Sequence, residues 1–218
     1  MPWAGVVVSL AGVLVIAVTT VAVDRFAPSS HDTGETVLGP VTAGVVLAAT
    51  LLLVTALVCL LPSLLRRFPQ LRSPLTYGTA VQLRRFLDWF LVGATIFALA
   101  GYLGATGLMA AWGVSFAGAT FVGLGALLIC IGIGYPRSGP QYDGRVPFVA
   151  AATEEFARFA PLQKYGTSIL GAALIVAGAW LPASWLITAT TAGAAVLWLL
   201  PWIVALARVA RIEQESRK

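Results

Sequence analysis

Metal-ligating and titratable side chains come close together in one place in this sequence. His31, Asp32 and Glu35 share a short polar segment, with Gly34 beside Glu35. Such groups can contact an outward-facing ligand or begin a metal site, but three donors on a short loop do not close a coordination sphere. A solvated loop has the same composition. His31, Asp32, Gly34 and Glu35 are therefore candidate outer-loop ligand contacts, and no metal is assigned. His31 is the sole histidine, far in sequence from any Ser or Cys on a nucleophile elbow, so a catalytic triad has no support. Glu154 and Glu155 are adjacent; on a helix they would point about 100° apart, poor geometry for a shared acid/base pair. The glycines at 132 and 134 lack a following Gly-Lys-Ser/Thr, so they do not read as a phosphate loop. Cys59 and Cys130 lie inside apolar runs and read as small buried hydrophobes rather than a disulfide framework. No catalytic residue, cofactor or enzyme activity is expected.

The elements that carry these residues follow from composition. Of 218 residues, 59% are hydrophobic and 11% charged, against about 25% charged in soluble domains. The net charge of +5 would suit nucleic acid only on a solvated basic face. Here Lys and Arg sit between long apolar runs, where they act as topology signals. The expected partner is a lipid bilayer, not nucleic acid.

A spanning helix needs about 20 mainly apolar residues. Helix one is expected over Trp3–Val23, free of charge, and the polar loop 24–38 follows. Helix two is expected from about Val41 to Leu65, followed by a basic linker with Arg66, Arg67 and Arg72, broken by Pro69 and Pro74. Arg84 and Asp88 then open helix three, spaced to pair on one face. The uncharged run from Trp89 to Tyr135 is about twice one span, so it must turn once, and Gly101–Gly113 is the expected turn between helices three and four.

The segment 136–165 is polar. Within it, Thr153–Ala160 reads as a short interfacial amphipathic helix: Thr153 as N-cap, Glu154 paired with Arg158, and Phe148, Ala152, Phe156 and Phe159 near one face. Pro161 is expected to close it. Helix five then runs Leu162–Leu181 and helix six from Ala183 to about Ala207, with Pro201 as a kink. This predicts an all-α, polytopic transmembrane bundle of about six spans forming a single membrane domain. With the N- and C-termini cytoplasmic, only Arg25 of the 14 Lys and Arg lies outside, as the positive-inside rule favours. No ionisable residue except Cys lies well inside a span, which argues against an ion or proton relay.

Gly144-Arg145-Val146-Pro147-Phe148 resembles the cytoplasmic loop of the SdpI/YfhL family of bacterial and archaeal membrane proteins, Gly-Ile-Arg-Thr-Pro-Trp. Phe148 and Phe156 stand at the positions of that family's two Trp residues, eight apart, with Thr153-Glu154-Glu155 between them. A Gly-rich helix ending in Leu-Pro follows in the family, as Gly166 to Leu181-Pro182 does here. The first third resembles the accompanying DUF1648 module in its outer-loop order Pro28, His31, Gly34, Glu35. The resemblance divides the chain into a DUF1648-like part, 1–88, and an SdpI-like part, 89–218. The family loop's Asn residues have no counterpart, since this chain contains no Asn.

The resemblance implies a prokaryotic plasma-membrane protein of the immunity and receptor type. Such a protein guards against a membrane-active peptide toxin outside and holds a regulatory protein at the cytoplasmic face. Gly144, Arg145, Pro147, Phe148, Glu154, Phe156 and Arg158 would be the partner-loop residues. Arg145 and Arg158 also read simply as inside-face markers, and Phe156 and Phe159 as interfacial anchors. Two other readings stand beside it: an accessory subunit of a larger membrane complex, and a transporter or channel for a neutral or apolar solute. The oligomeric state is left open.

Overall fold

A computed structural model describes residues 2–26, 39–67, 80–135 and 147–216. His31, Asp32, Gly34, Glu35, Gly144 and Arg145 lie outside the described residues, as does the linker after Arg67. Among the described residues all regular structure is helical. In chain order come α1 (Trp3–Phe26), α2 (Pro40–Arg67), α3 (Ala80–Ala105), a 3₁₀ turn (Ala110–Trp112), α4 (Phe116–Gly134), α5 (Pro147–Gly178), α6 (Ala183–Ala194), a π-helical segment (Ala195–Leu199) and α7 (Leu200–Ser216). Among the described residues, five stretches are long and apolar enough to cross a membrane: Trp3–Val23, Val41–Leu61, Val81–Ala105, Phe116–Gly134 and Ala183–Arg208. This is the architecture of a multi-pass membrane protein. α5 is as long, but Gln163, Lys164, Thr167 and Ser168 dilute its apolar half.

The bundle buries its small and polar residues and presents its large aliphatic ones outward. Along α1, Gly5, Ser9, Gly12, Ile16 and Thr20 are buried at helical spacing, whereas Val7, Leu10, Leu14, Val18 and Val21 are exposed. Lipid is as apolar as leucine, so helices there gain little by burying leucine against one another. Close backbone approach and interhelical hydrogen bonds decide which face turns inward. Ser9 and Thr55 share a 2.5 Å hydrogen bond between α1 and α2. Thr95 of α3 sits against Gly12, and Thr20 against Gly44 of α2. The larger buried side chains of α1, α2 and α3 gather in two small clusters, around Ile16, Leu51 and Tyr102 and around Val58, Leu87 and Leu91.

The two most extensive helix interfaces are α3–α4 and α4–α5. α4 makes both through small residues on opposite faces. On one side Gly123 meets Ala100 and Phe97, and Gly134 meets Phe86 and Trp89. On the other, Gly118 meets Gly178, Gly125 meets Gly171, and Gly132 meets Lys164 and Ser168. Each step of seven up α4 is answered by a step of seven down α5, so the two run antiparallel with their backbones in contact. A Cβ on Gly125 would strike the Gly171 carbonyl, and one on Gly171 would strike the Gly125 carbonyl. α5 is lined in turn by the last helical segments, with Gly166 against Leu197 and Gly193 against Leu170.

Several expected boundaries are corrected. α1 runs to Phe26, into the loop expected from residue 24, and α2 to Arg67, into the expected basic linker. The turn after helix three does not begin at Gly101. α3 continues to Ala105 because Tyr102 is drawn into the core, 1% exposed, and the chain reverses over 106–115 with Gly107 and Gly113 in the left-handed region (φ 71° and 72°). The separate interfacial helix with Thr153 as N-cap is absent. Residues from Pro147 onward form one helix with helix five, and Pro161 lies inside it. A proline removes one helical hydrogen bond, here to the carbonyl of residue 157. Both Ala157 and Pro161 are exposed, so the loss falls on the outer face and does not end the helix. Helix six is irregular as expected near Pro201, and the irregularity is a π-helical segment just before it, a known way to absorb a proline or an inserted residue.

Gly125→Ala should lower stability by about 1–3 kcal/mol, the usual cost of forcing a methyl group into a filled contact. Gly101, with open space around its Cα, should tolerate alanine without loss. Thermal unfolding of the two variants in one detergent checks the contrast.

Candidate functional site

Arg66, Arg67, Arg84, Arg85, Lys164, Arg208 and Arg211 belong to helix segments that meet at one end of the bundle. α1 and α3 start there, α2 and α4 finish there, and α5 and α7, packed on each other, extend beyond it. Two polar joints are built at this end.

The first ties α4 to α5. Tyr135 directly follows the last α4 residue and donates its phenol proton to Gln163 Oε1 at 2.5 Å. Gln163 is 0% exposed and Thr167, one turn on, is 1% exposed. Gln163 Nε2 and Thr167 Oγ1 have no hydrogen-bond partner among the described residues. The Tyr135 ring meets Trp198, inside the π-helical segment, edge to face at 5.9 Å. Next to this cluster, Ser168 Oγ donates to the Lys164 carbonyl at 3.2 Å, where Gly132 approaches. Lys164 extends outward, its Nζ 5.6 Å from the Tyr165 ring centre.

A phenol, an amide and a hydroxyl offer no nucleophile–base pair. What the cluster can do is hold one helix end in place. Its constraint falls where α5 runs past the end of α4, with about four turns of α5 preceding Gln163 and α7 alongside. It also joins this point to the π-helical segment, a backbone feature found often at functional sites.

The second joint ties α3 to α1. Asp88 Oδ1 accepts the Gly5 backbone N–H at 2.9 Å. Gly5 lies in the first turn of α1, where N–H groups lack a carbonyl within the helix. A carboxylate is favoured at that positive end. The expected Arg84–Asp88 ion pair is thus replaced: among the described residues no such pair forms, because the helix N-terminus offers Asp88 a nearer donor.

Of the sequence-derived partner-loop residues, Pro147, Phe148, Glu154 and Phe156 fall within α5, and Arg158 is exposed on it and engaged in an interaction. Nothing in the sequence pairs Tyr135, Gln163, Thr167 and Trp198 with one another. Tyr135 closes an uncharged run and Gln163 lies two residues after Pro161, and both read as boundary residues until the helices are paired. Among the described residues there is no group of three His, Cys, Asp or Glu that could hold a metal.

No protein family, curated protein or solved structure matches this chain.

Tyr135→Phe should cost about 1–3 kcal/mol, the penalty for leaving a buried amide oxygen unpaired. Adding Gln163→Leu should recover most of it, since removing both partners is far cheaper than removing one. Unfolding of both variants and the parent in detergent reads the pair. A double variant less stable than Tyr135→Phe alone would show that the bond is not the source of the loss.

Proposed function

We propose that this chain is a receptor-type immunity protein of a prokaryotic plasma membrane, with six spans and both termini cytoplasmic. On this reading the outer loop with His31, Asp32, Gly34 and Glu35 meets a membrane-active peptide. Segment 136–165 meets a cytoplasmic regulator through Gly144, Arg145, Pro147, Phe148, Glu154, Phe156 and Arg158. The chain is then not an enzyme and carries no cofactor. The resemblance of its cytoplasmic segment to the SdpI/YfhL loop supplies the class.

One structural observation carries the reading. From Pro147 onward, the segment assigned to the regulator is part of a helix of the bundle. A displacement of α5 at its Gly178 end would be passed as a rigid motion to the turns before Gln163. A separate interfacial helix would not transmit it. The antiparallel run of α5 along α4, from Gly178 to Lys164, supports counting α5 as the sixth span. The clustering of basic residues at the end where α1 begins supports a cytoplasmic N-terminus.

An accessory-subunit reading has its own observation: the span Ala183–Arg208 is the least buried of the five, leaving most of its surface to lipid or to another chain.

The test is survival of a sensitive strain expressing this chain, challenged with membrane-active peptides and compared with an empty vector. Protection is expected. It should fall to the vector level with Arg145→Ala plus Phe148→Ala while membrane expression is unchanged. If the expressed protein protects against none of the peptides made by related strains, the immunity reading is lost, and co-purification in mild detergent would show whether a larger complex takes its place.

A further inference from the structure

We propose that the groove between the start of α1 and the first turns of α3 binds the headgroup of an anionic phospholipid. The groove has a volume of about 460 Å³ and is lined by Ala4, Val81, Arg84, Arg85, Asp88, Trp89 and Val92. That volume lies in the range of small-molecule sites, roughly 300–1,000 Å³.

Its lining is ordered along the helix axis. Arg84 and Arg85 stand near the start of α3, with Trp89 one turn deeper and Val92 beyond. From Val81 to Val92 is about 16 Å of helix at 1.5 Å per residue. Past Val81 at its mouth, the groove therefore changes from cationic at Arg84 and Arg85 to apolar at Trp89 and Val92, over a headgroup and the top of an acyl chain. A free phosphate would use only the first part, whereas a phospholipid matches both.

The charges favour an anion. Arg84 and Arg85 are exposed, and neither has an ion pair or hydrogen bond among the described residues. Asp88, the one acid in the lining, is held by the Gly5 N–H at the positive end of α1. This occupies one carboxylate oxygen and leaves two guanidinium groups against one carboxylate. Arginine forks suit phosphate oxygens, and half-buried Trp89 is a residue type of the membrane interface. Basic pockets between spanning helices are an established way of holding acidic headgroups. The inference does not depend on the immunity reading.

The full-length protein in detergent would be titrated with phosphatidylglycerol, with phosphatidylcholine and with inorganic phosphate, and lipid adducts followed by native mass spectrometry. Phosphatidylglycerol should bind in preference to phosphatidylcholine. Arg84→Gln plus Arg85→Gln should weaken phosphatidylglycerol by about twenty-five-fold, or about fivefold per arginine, and leave phosphatidylcholine unchanged. Arg211→Gln, a basic residue on α7, should leave both unchanged. A monodisperse gel-filtration peak shows that the variants are folded; should the double variant aggregate, the single substitutions carry the test. The proposal is overturned if the double variant binds phosphatidylglycerol as the parent does, if Arg211→Gln weakens it equally, or if inorganic phosphate displaces it at equal concentration.

Discussion

The contact between the backbones of α4 and α5, glycine against glycine at 118/178 and 125/171, sets the geometry of the second half of the molecule. Water normally drives helices together by expelling apolar surface, but a bilayer offers no such force between two greasy helices. What remains is dispersion and weak carbonyl contact, and both fall off steeply with distance. Glycine shortens the distance. It is a poor helix former in water, by about 1 kcal/mol against alanine, so its repeated use on α4 makes sense only if the interface returns more than that. Because α4 is narrow on two faces, α3 and α5 can both approach it closely, and it becomes the central column.

The polar groups follow from that column. Once α4 and α5 are in register, Tyr135 lands beside Gln163 and Trp198 beside Tyr135. Once α1 lies along α3, Asp88 lands at the first turn of α1. Each joint satisfies a group that would otherwise be stranded where water is scarce, which is why such groups are costly alone and stabilising in pairs. The side-chain hydroxyls elsewhere obey the same rule. Thr20 and Thr95 return their protons to carbonyls one turn back, so they can be buried without an interhelical hydrogen bond.

The unity of α5 bears most directly on function. A proline at 161 would break a helix in many settings, yet here the carbonyl it frees lies on an exposed face, and the glycine contacts with α4 hold the helix on the other side. The result is one rigid rod running from the far turn of the bundle, past the buried Gln163–Thr167 pair, and out at the basic end. The resemblance to the SdpI/YfhL loop bears on the first turns of this rod. The tertiary structure joins those turns mechanically to the rest.

Much of this was legible in the residues themselves. Charge-free runs near 20 residues long read as helices long enough to span, since a helix satisfies its own backbone in lipid. The starts of α1 and α2 and the π-distorted last helix near Pro201 follow the run lengths and the proline. The grouping of Lys and Arg between runs is likewise a property of the chain. The pairing of faces was not legible. Gly101 and Gly125 look alike in sequence, yet one faces open space and the other a carbonyl. Arg84 and Asp88 are spaced to pair, yet the Asp88 carboxylate goes to Gly5. Local spacing determines which groups could meet along one helix, while the choice among partners is a competition with groups from other helices. Only the tertiary structure decides that competition, because a short-range contact exists only once two helices are brought within its reach.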